Sequence, residues 1–365
     1  MKIWHIGALV VLGLAFGLWR PGQLGDLFQF ATLSVFLPAL IFEAAWNLDL
    51  PTMRRAWKPI VLLAVPGVAV TAAIVALGAH FLGGLALPLA LLLGAILSAT
   101  DPIAVVAIFR RLNVPKELAT IVESESLLND AVAVVVYRAV LATVVATFST
   151  TAALGVAGHA AIGSFLGLLL GVGVGLIAIQ ALRLRGNVAV HTIATFVAAY
   201  AAYGLAEHYA WSGIFAVIAC GITMGEYERR NDALTTADGV EHIWSWLSAA
   251  ANAALFFLIG ASVALPDFVR EWQPIVATLV AVGVARVALA YGLLALAPGM
   301  ARSWKTVVQL AGVRGALALA LAIALPSTLP DRGIVIDATF AVVILTIVAG
   351  ALTLEPGIGR MELSE

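Results

Sequence analysis

Apolar runs of about 20 residues recur along this chain with only short polar interruptions, and no other feature limits its fold so strongly. A helix of that length crosses roughly 30 Å of hydrocarbon, where every backbone amide must bond inside the chain. Helices are therefore predicted at about residues 3 to 19, 27 to 46, 59 to 80, 86 to 109, 117 to 145, 160 to 181, 188 to 207, 211 to 226, 243 to 265, 273 to 297, 303 to 326 and 333 to 354. With 62% hydrophobic and only 11% charged residues, the chain cannot offer water a surface of ordinary polarity. Alternating strand patterns are absent. The expectation is an all-α polytopic membrane protein of about twelve transmembrane helices. Lys2 ahead of an apolar run would suit a signal peptide, but the next run follows closely and no small-residue cleavage site stands out, so the first run is kept as a helix.

Several function classes fall away. A net charge of −1 without any basic tract gives nucleic acid no positive face to bind. The lone Cys220 excludes an internal disulfide and a cysteine metal cluster. His5, His80, His159, His191, His208 and His242 lie scattered near span ends or loops without i, i+4 pairing, which gives a metal site little support and reads as solvated interfacial histidine. No cofactor is expected.

Basic residues divide unequally between the loops. One side collects Lys2, Arg54, Arg55, Lys58, Arg110, Arg111, Lys116, Arg183, Arg185, Arg229, Arg230, Arg302, Lys305 and Arg360, the other only Arg20, Arg270 and Arg332. By the positive-inside rule both termini face the cytoplasm, and the expected location is the inner membrane. Arg138, Arg286 and Arg314 remain inside predicted spans.

Ionisable groups at bilayer depth cost about 2.5 to 3.5 kcal/mol each on insertion scales, so they mark partners or aqueous cavities. Here they concentrate as Asp101 in the fourth span, Glu123, Glu125 and Asp130 in the fifth, Arg286 in the tenth and Arg314 in the eleventh. For the arginines a structural ion-pair network is the plain alternative. Ser98-Ala99-Thr100-Asp101-Pro102 sits midway through its span, where proline removes an amide donor and disfavours helix at Asp101. Carbonyls near Thr100 are thereby freed. A break of this kind at the midplane is how secondary transporters coordinate ions, whereas a simple proline kink is the blander reading.

In the segment from Glu123 to Asp130, residues four apart share a helical face, so Asp130 stacks over Ser126 and Asn129 over Glu125. Asp130 and Glu125 diverge by about 140°, which lets one carboxylate face a cavity while a partner holds the other. Asp130 lies about 20 Å along its span from the cytoplasmic end, near the depth of Thr100.

Thr100-Asp101-Pro102 followed by Glu125-Ser126-Leu127-Leu128-Asn129-Asp130 resembles the paired signature of NhaP-type sodium/proton antiporters, relatives of the animal sodium/proton exchangers. Arg286 in Ala285-Arg286-Val287 and Arg314 in Gly312-Val313-Arg314-Gly315-Ala316 match two further family positions, so the likeness runs over nearly the whole chain. The resemblance implies a transporter, not an enzyme, that exchanges Na+ or Li+ for H+. Asp130 would bind the ion with oxygens from Thr100 and Ser126, while Asp101, Glu125, Asn129, Arg286 and Arg314 form the supporting network and Arg286 pairs with Glu125. It further implies the antiporter fold of the NhaA, NapA and NhaP proteins, with inverted repeats and two crossing broken helices, and a homodimer. Core helices at roughly 59 to 145 and 243 to 354 would move against an interface domain at roughly 1 to 46 and 188 to 226, in a single membrane unit without a soluble C-terminal domain. The fourth and the Gly-interrupted eleventh spans are separated by an odd offset, which runs them antiparallel as inverted repeats require. Relatives with Asp in place of Asn129 tend to be electrogenic, so a neutral Asn129 beside a paired Glu125 points to one proton per cation with no net charge moved.

Gly163, Gly167, Gly171 and Gly175 line one face of the sixth span, a surface for close helix packing inside the chain in preference to a dimer seam. Three rival functions stay open on the sequence: potassium/proton exchange, since hard oxygen ligands suit either ion; an intramembrane aspartyl protease, which needs two carboxylates sharing a proton; and a non-transporting sensor.

Overall fold

Prolines and glycines decide where the long apolar segments of this chain break. The structure, a computed structural model, describes residues 3–19, 31–145, 150–183, 188–230, 237–261, 271–297, 299–361 and 363, and every regular element among them is helical. Lys2, Arg20, Arg185 and Arg270 of the charge count, and the expected span ends at 27–30 and 262–265, lie outside the described residues. Six of the described helices are long and apolar enough to cross a membrane. The described chain divides into two compact units, one of Met1–Gln29, Thr52–Val144 and Leu255–Glu365, the other of Phe30–Pro51 and Val145–Ala254.

In the first unit, α1 (Ile3–Trp19) precedes α4 (Trp57–Ala64) and α5 (Pro66–Phe81). The last two form one apolar stretch that bends at Val65, because Pro66 brings no amide and crowds the residue before it. Next come α6 (Leu87–Ile96) and α7 (Ile103–Leu112), separated by a non-helical link, and then the long α8 (Lys116–Val145). After α13 (Trp272–Val287) the chain continues through a π-helical turn, Ala288–Gly292, into a 3-10 turn, Leu293–Leu296. A second interrupted pair follows, α14 (Arg302–Leu310) and α15 (Ala316–Ile323), before α16 (Arg332–Ile358). At 1.5 Å per residue each half-helix of the two pairs measures about 12 to 15 Å, half of a hydrocarbon core of about 30 Å. α5 packs on α6 and α13, and α16 packs on α6, α7, α13, α14 and α15.

The interruption at Thr100-Asp101-Pro102 lies where proline predicted it, and that at 311–315 coincides with Gly312 and Gly315. The bend at Val65 has its proline, Pro66, but falls inside a single expected span. The π turn that begins at Ala288, two residues past Arg286, has neither proline nor glycine at its start.

The second unit contains α2 (Leu37–Asn47), the first two residues of α3 (Leu50–Arg55), whose remainder belongs to the first unit, α9 (Thr150–Leu182), α10 (Val188–His208), α11 (Gly213–Arg230) and the larger part of α12 (Ala237–Ala261). Small residues let α11 lie against two neighbours at backbone distance. The glycine face of α9 turns toward it: a Cβ on Gly171 would collide with the Ala216 carbonyl, and one on Gly175 would meet Thr223 at 3.1 Å. On the side facing α2, a Cβ on Gly221 would meet Ala45 Cβ at 2.8 Å. Phe165, Leu169, Leu176 and Ile177 of α9 are exposed, as expected of a lipid-facing surface. The glycine stripe is therefore an intramolecular packing face.

Gly171→Val should destabilise the protein by about 1 to 3 kcal/mol through overpacking, read as a lowered melting temperature in detergent. Gly173→Val, on the same helix with nothing within 4 Å of its added Cβ, should melt like the wild type.

Candidate functional site

Proline at 102 leaves its helix short of hydrogen bonds, and the site is assembled from what replaces them. Pro102 has no amide to give to the carbonyl four residues back, that of Ser98. Arg314 supplies donors instead: its Nη1 lies 3.3 Å from Ser98 O and 3.0 Å from Ala99 O. The Asp101 amide, turned out of the helix, donates to Val313 O at 2.9 Å and ties the two interruptions together backbone to backbone. Ser126 Oγ of α8 takes the Thr100 carbonyl at 2.6 Å. Gly315 is required where it stands, because any Cβ there would run into the Asp101 side chain.

Around Thr100 the polar atoms close on one another. Thr100 Oγ1 lies 3.0 Å from Ser126 Oγ and accepts from Asn129 Nδ2 at 2.7 Å, while the Thr100 amide points at Asn129 Oδ1 at 3.4 Å. Thr100, Ser126 and Asn129 are all buried. Asp130, the next residue, sits close to the same amide and within Coulomb range of Asp101 and Arg314. Its Oδ1 is buried and has no hydrogen-bond partner among the described residues. The expected ligand set is thus brought together in unequal fashion: two hydroxyls and an amide bonded to each other, and one carboxylate oxygen free beside them.

The second carboxylate of α8 has an opposite environment. Glu125 and Arg286 form a two-pronged pair, Nη1 to Oε1 at 2.5 Å and Nη2 to Oε2 at 3.2 Å, with both residues buried. Nε and Nη2 of the same guanidinium also reach Val308 O at 3.0 and 2.7 Å, a carbonyl near the frayed end of α14. Gly312 leaves room for it, since a Cβ there would meet Arg286 Cδ at 2.6 Å. Arg286 therefore does for the second interruption what Arg314 does for the first. The Asp101 backbone joins the crossing, and Arg314 Nη1 donates to two carbonyls, while the buried Nε and Nη2 of Arg314 have no hydrogen-bond partner among the described residues. The Arg314 amide donates to Thr346 Oγ1 at 3.1 Å, which fixes the turn onto α16.

Some groups escaped the sequence reading. Glu43 in α2 accepts from Asn47 Nδ2 at 2.9 Å, and Asp337 in α16 is buried; both stand in apolar runs, the criterion that singled out Asp101. His191 is buried, with Nδ1 3.8 Å from a buried Glu228 Oε1, and so is not the solvated interfacial histidine expected from its place near a span end. Arg138 is exposed on α8. Among the described residues no group of three or more His, Cys, Asp or Glu could hold a resident metal.

This geometry meets its counterpart in known proteins. Residues 2–357 match the family model described as sodium/hydrogen exchanger, transmembrane. The chain belongs to that family. The exchanger is 34% identical over 365 residues to the Na(+)/H(+) antiporter ApNhaP of Aphanothece halophytica, covering 97% of this chain and 68% of that protein. It is 30% identical over 373 residues to the Na(+)/H(+) antiporter NhaH of Halobacillus dabanensis, covering 97% and 91%. Among solved structures it superposes on the sodium proton antiporter MjNhaP1 from Methanocaldococcus jannaschii with a TM-score of 0.84 at 21% identity, over 99% of this chain and 92% of that one. The exchanger has an all-α polytopic membrane fold closely related to that of the NhaP antiporters.

Glu125→Gln strands a buried guanidinium, so it should cost about 3 to 5 kcal/mol of stability. Thermal melts of the purified variant that coincide with wild type would contradict this.

Proposed function

We propose that this exchanger moves sodium and protons in opposite directions by letting them compete for one carboxylate, that of Asp130. The chain is a secondary active sodium/proton antiporter embedded in a membrane by multiple passes, and it is not an enzyme. The observation that carries the site assignment is the buried, unpartnered Asp130 Oδ1 beside the hydroxyls of Thr100 and Ser126, at the junction of two interrupted helices. Hard oxygen donors at such a junction are the means by which transporters of this architecture hold a small cation. A cation at Asp130 would draw on Thr100 and Ser126 once their mutual hydrogen bonds rearrange, with Asn129 orienting them.

Charge counting supports the stoichiometry. Two guanidinium groups, Arg286 and Arg314, stand against three carboxylates, Asp101, Glu125 and Asp130, leaving one negative charge. One sodium ion or one proton neutralises it. An empty site would carry that charge through a dry barrier, which is costly, so only loaded states switch sides. The exchange is then one for one and moves no net charge.

The wider arrangement we propose has about twelve spans, inverted repeats built around the two crossing interruptions, both termini in the cytoplasm and an inner-membrane homodimer. The core would consist roughly of residues 59 to 145 and 243 to 354, moving against an interface domain drawn from 1 to 46 and 188 to 226.

Asp130→Asn should abolish exchange in proteoliposomes while the protein stays folded and inserted, with sodium, lithium and potassium tested side by side; surviving sodium-driven proton flux would remove Asp130 from the site. In proton-tight vesicles the wild-type flux should be indifferent to an imposed voltage. A sodium gradient that builds up a membrane potential through the protein would rule out the one-for-one reading.

A further inference from the structure

Two helical turns past Asp130, on the same face of α8, stands Tyr137. Seven residues at 100° each return to within about 20° of the starting direction, with a rise of about 10 Å. Tyr137 is 5% exposed, and its hydroxyl is buried without a hydrogen-bond partner among the described residues. Buried tyrosines keep their hydroxyls bonded as a rule, so an orphan calls for a physical reason. Packing alone gives none, because phenylalanine would fill the same space without a stranded polar atom.

The surroundings suggest one. Between Asp130 and Tyr137 lies an apolar layer in which Ala133 packs against Val68 and Ala99, with Val132, Val136 and Leu317 around them. Tyr137 is thus the first polar group of α8 on this face beyond a dry stretch. Long side chains on a helix lie back toward its N-terminus, which here is the direction of Asp130. Two guanidinium groups lie within Coulomb range of the tyrosine, that of Arg138, the next residue, which is exposed, and that of Arg332, the first residue of α16; Arg332 Nη2 donates to Ile323 O at 3.3 Å, and its buried Nε has no partner among the described residues.

We propose that the Tyr137 hydroxyl is a second cation-binding position, occupied in passage between Asp130 and the side of the membrane where α8 ends, and that Arg332 keeps it weak. The hydroxyl oxygen offers a hard lone pair to a sodium ion that has left part of its water behind. A neutral ligand cannot trade the ion for a proton, so the position conducts without exchanging. A cation needs such a stop to be favourable enough to enter and loose enough to leave, and a neighbouring guanidinium opposes tight binding. This inference rests on Asp130 as the exchange site.

The test is sodium/proton exchange in proteoliposomes of known orientation, with sodium presented from each side in turn. Tyr137→Phe should raise the apparent KM for sodium about five-fold from the side where α8 ends, the weight of one hydroxyl contact, and leave the opposite KM and the melting temperature unchanged. Arg332→Gln should lower the KM from that same side. Equal shifts on both sides, or none, in Tyr137→Phe would overturn the proposal by reducing the hydroxyl to a packing element or an idle group. A raised KM in Arg332→Gln would overturn the role given to the guanidinium. Asp130→Asn in the same vesicles separates the two levels: continued exchange there defeats the exchange-site reading, while its loss together with wild-type kinetics in Tyr137→Phe defeats only the second position.

Discussion

Carbonyls that two interrupted helices cannot satisfy for themselves are the constraint on which the Asp130 unit depends. A lipid-embedded backbone group without a partner costs several kcal/mol, so a mid-membrane interruption survives only where the protein supplies donors. Here two arginines and one serine supply them, to Ser98, Ala99, Thr100 and Val308. Each replacement bond joins elements far apart in sequence. Helical hydrogen bonds lost locally thus become cross-links, and the interruptions hold the unit together where they would be expected to weaken it.

That solution brings charge with it. A guanidinium is the one side chain with enough fixed donors to serve several carbonyls at once, yet it cannot shed its charge. Glu125 balances Arg286 directly, in a pair buried on both sides. Arg314 has only carbonyl oxygens as the partners described above and lies in the field of Asp130. The scaffold and the ion chemistry are therefore coupled electrostatically: the donor that repairs the first interruption is also the standing positive charge against which sodium or a proton must bind.

Much of this could be read from the residues. Apolar runs marked the helical segments, Pro102 located the first interruption, and Gly312 with Gly315 the second, because these residue types act on the backbone locally and in known ways. The pairing of Arg286 with Glu125 came from family resemblance, since nothing in their spacing across the chain implies contact. The carbonyl partners of Arg314 were harder to foresee, because a broken helix offers carbonyls that become visible only once the path of the backbone is known. The π turn after Arg286 and the buried His191 with Glu228 are likewise products of tertiary packing, with no local residue to announce them.

The contact of α9 with α11 carries a mechanical consequence. Where glycine meets a carbonyl, as at Gly171 and Ala216, no side chain lies between the two backbones. Interfaces lined by leucine or methionine yield under load by changing rotamers, which gives them some compliance. A glycine seam has no rotamers to change. The pair is stiff in compression, and small displacements are not absorbed within it but passed along its length, as in a beam with two flanges. Strain arriving at one end of α9 is delivered to the other.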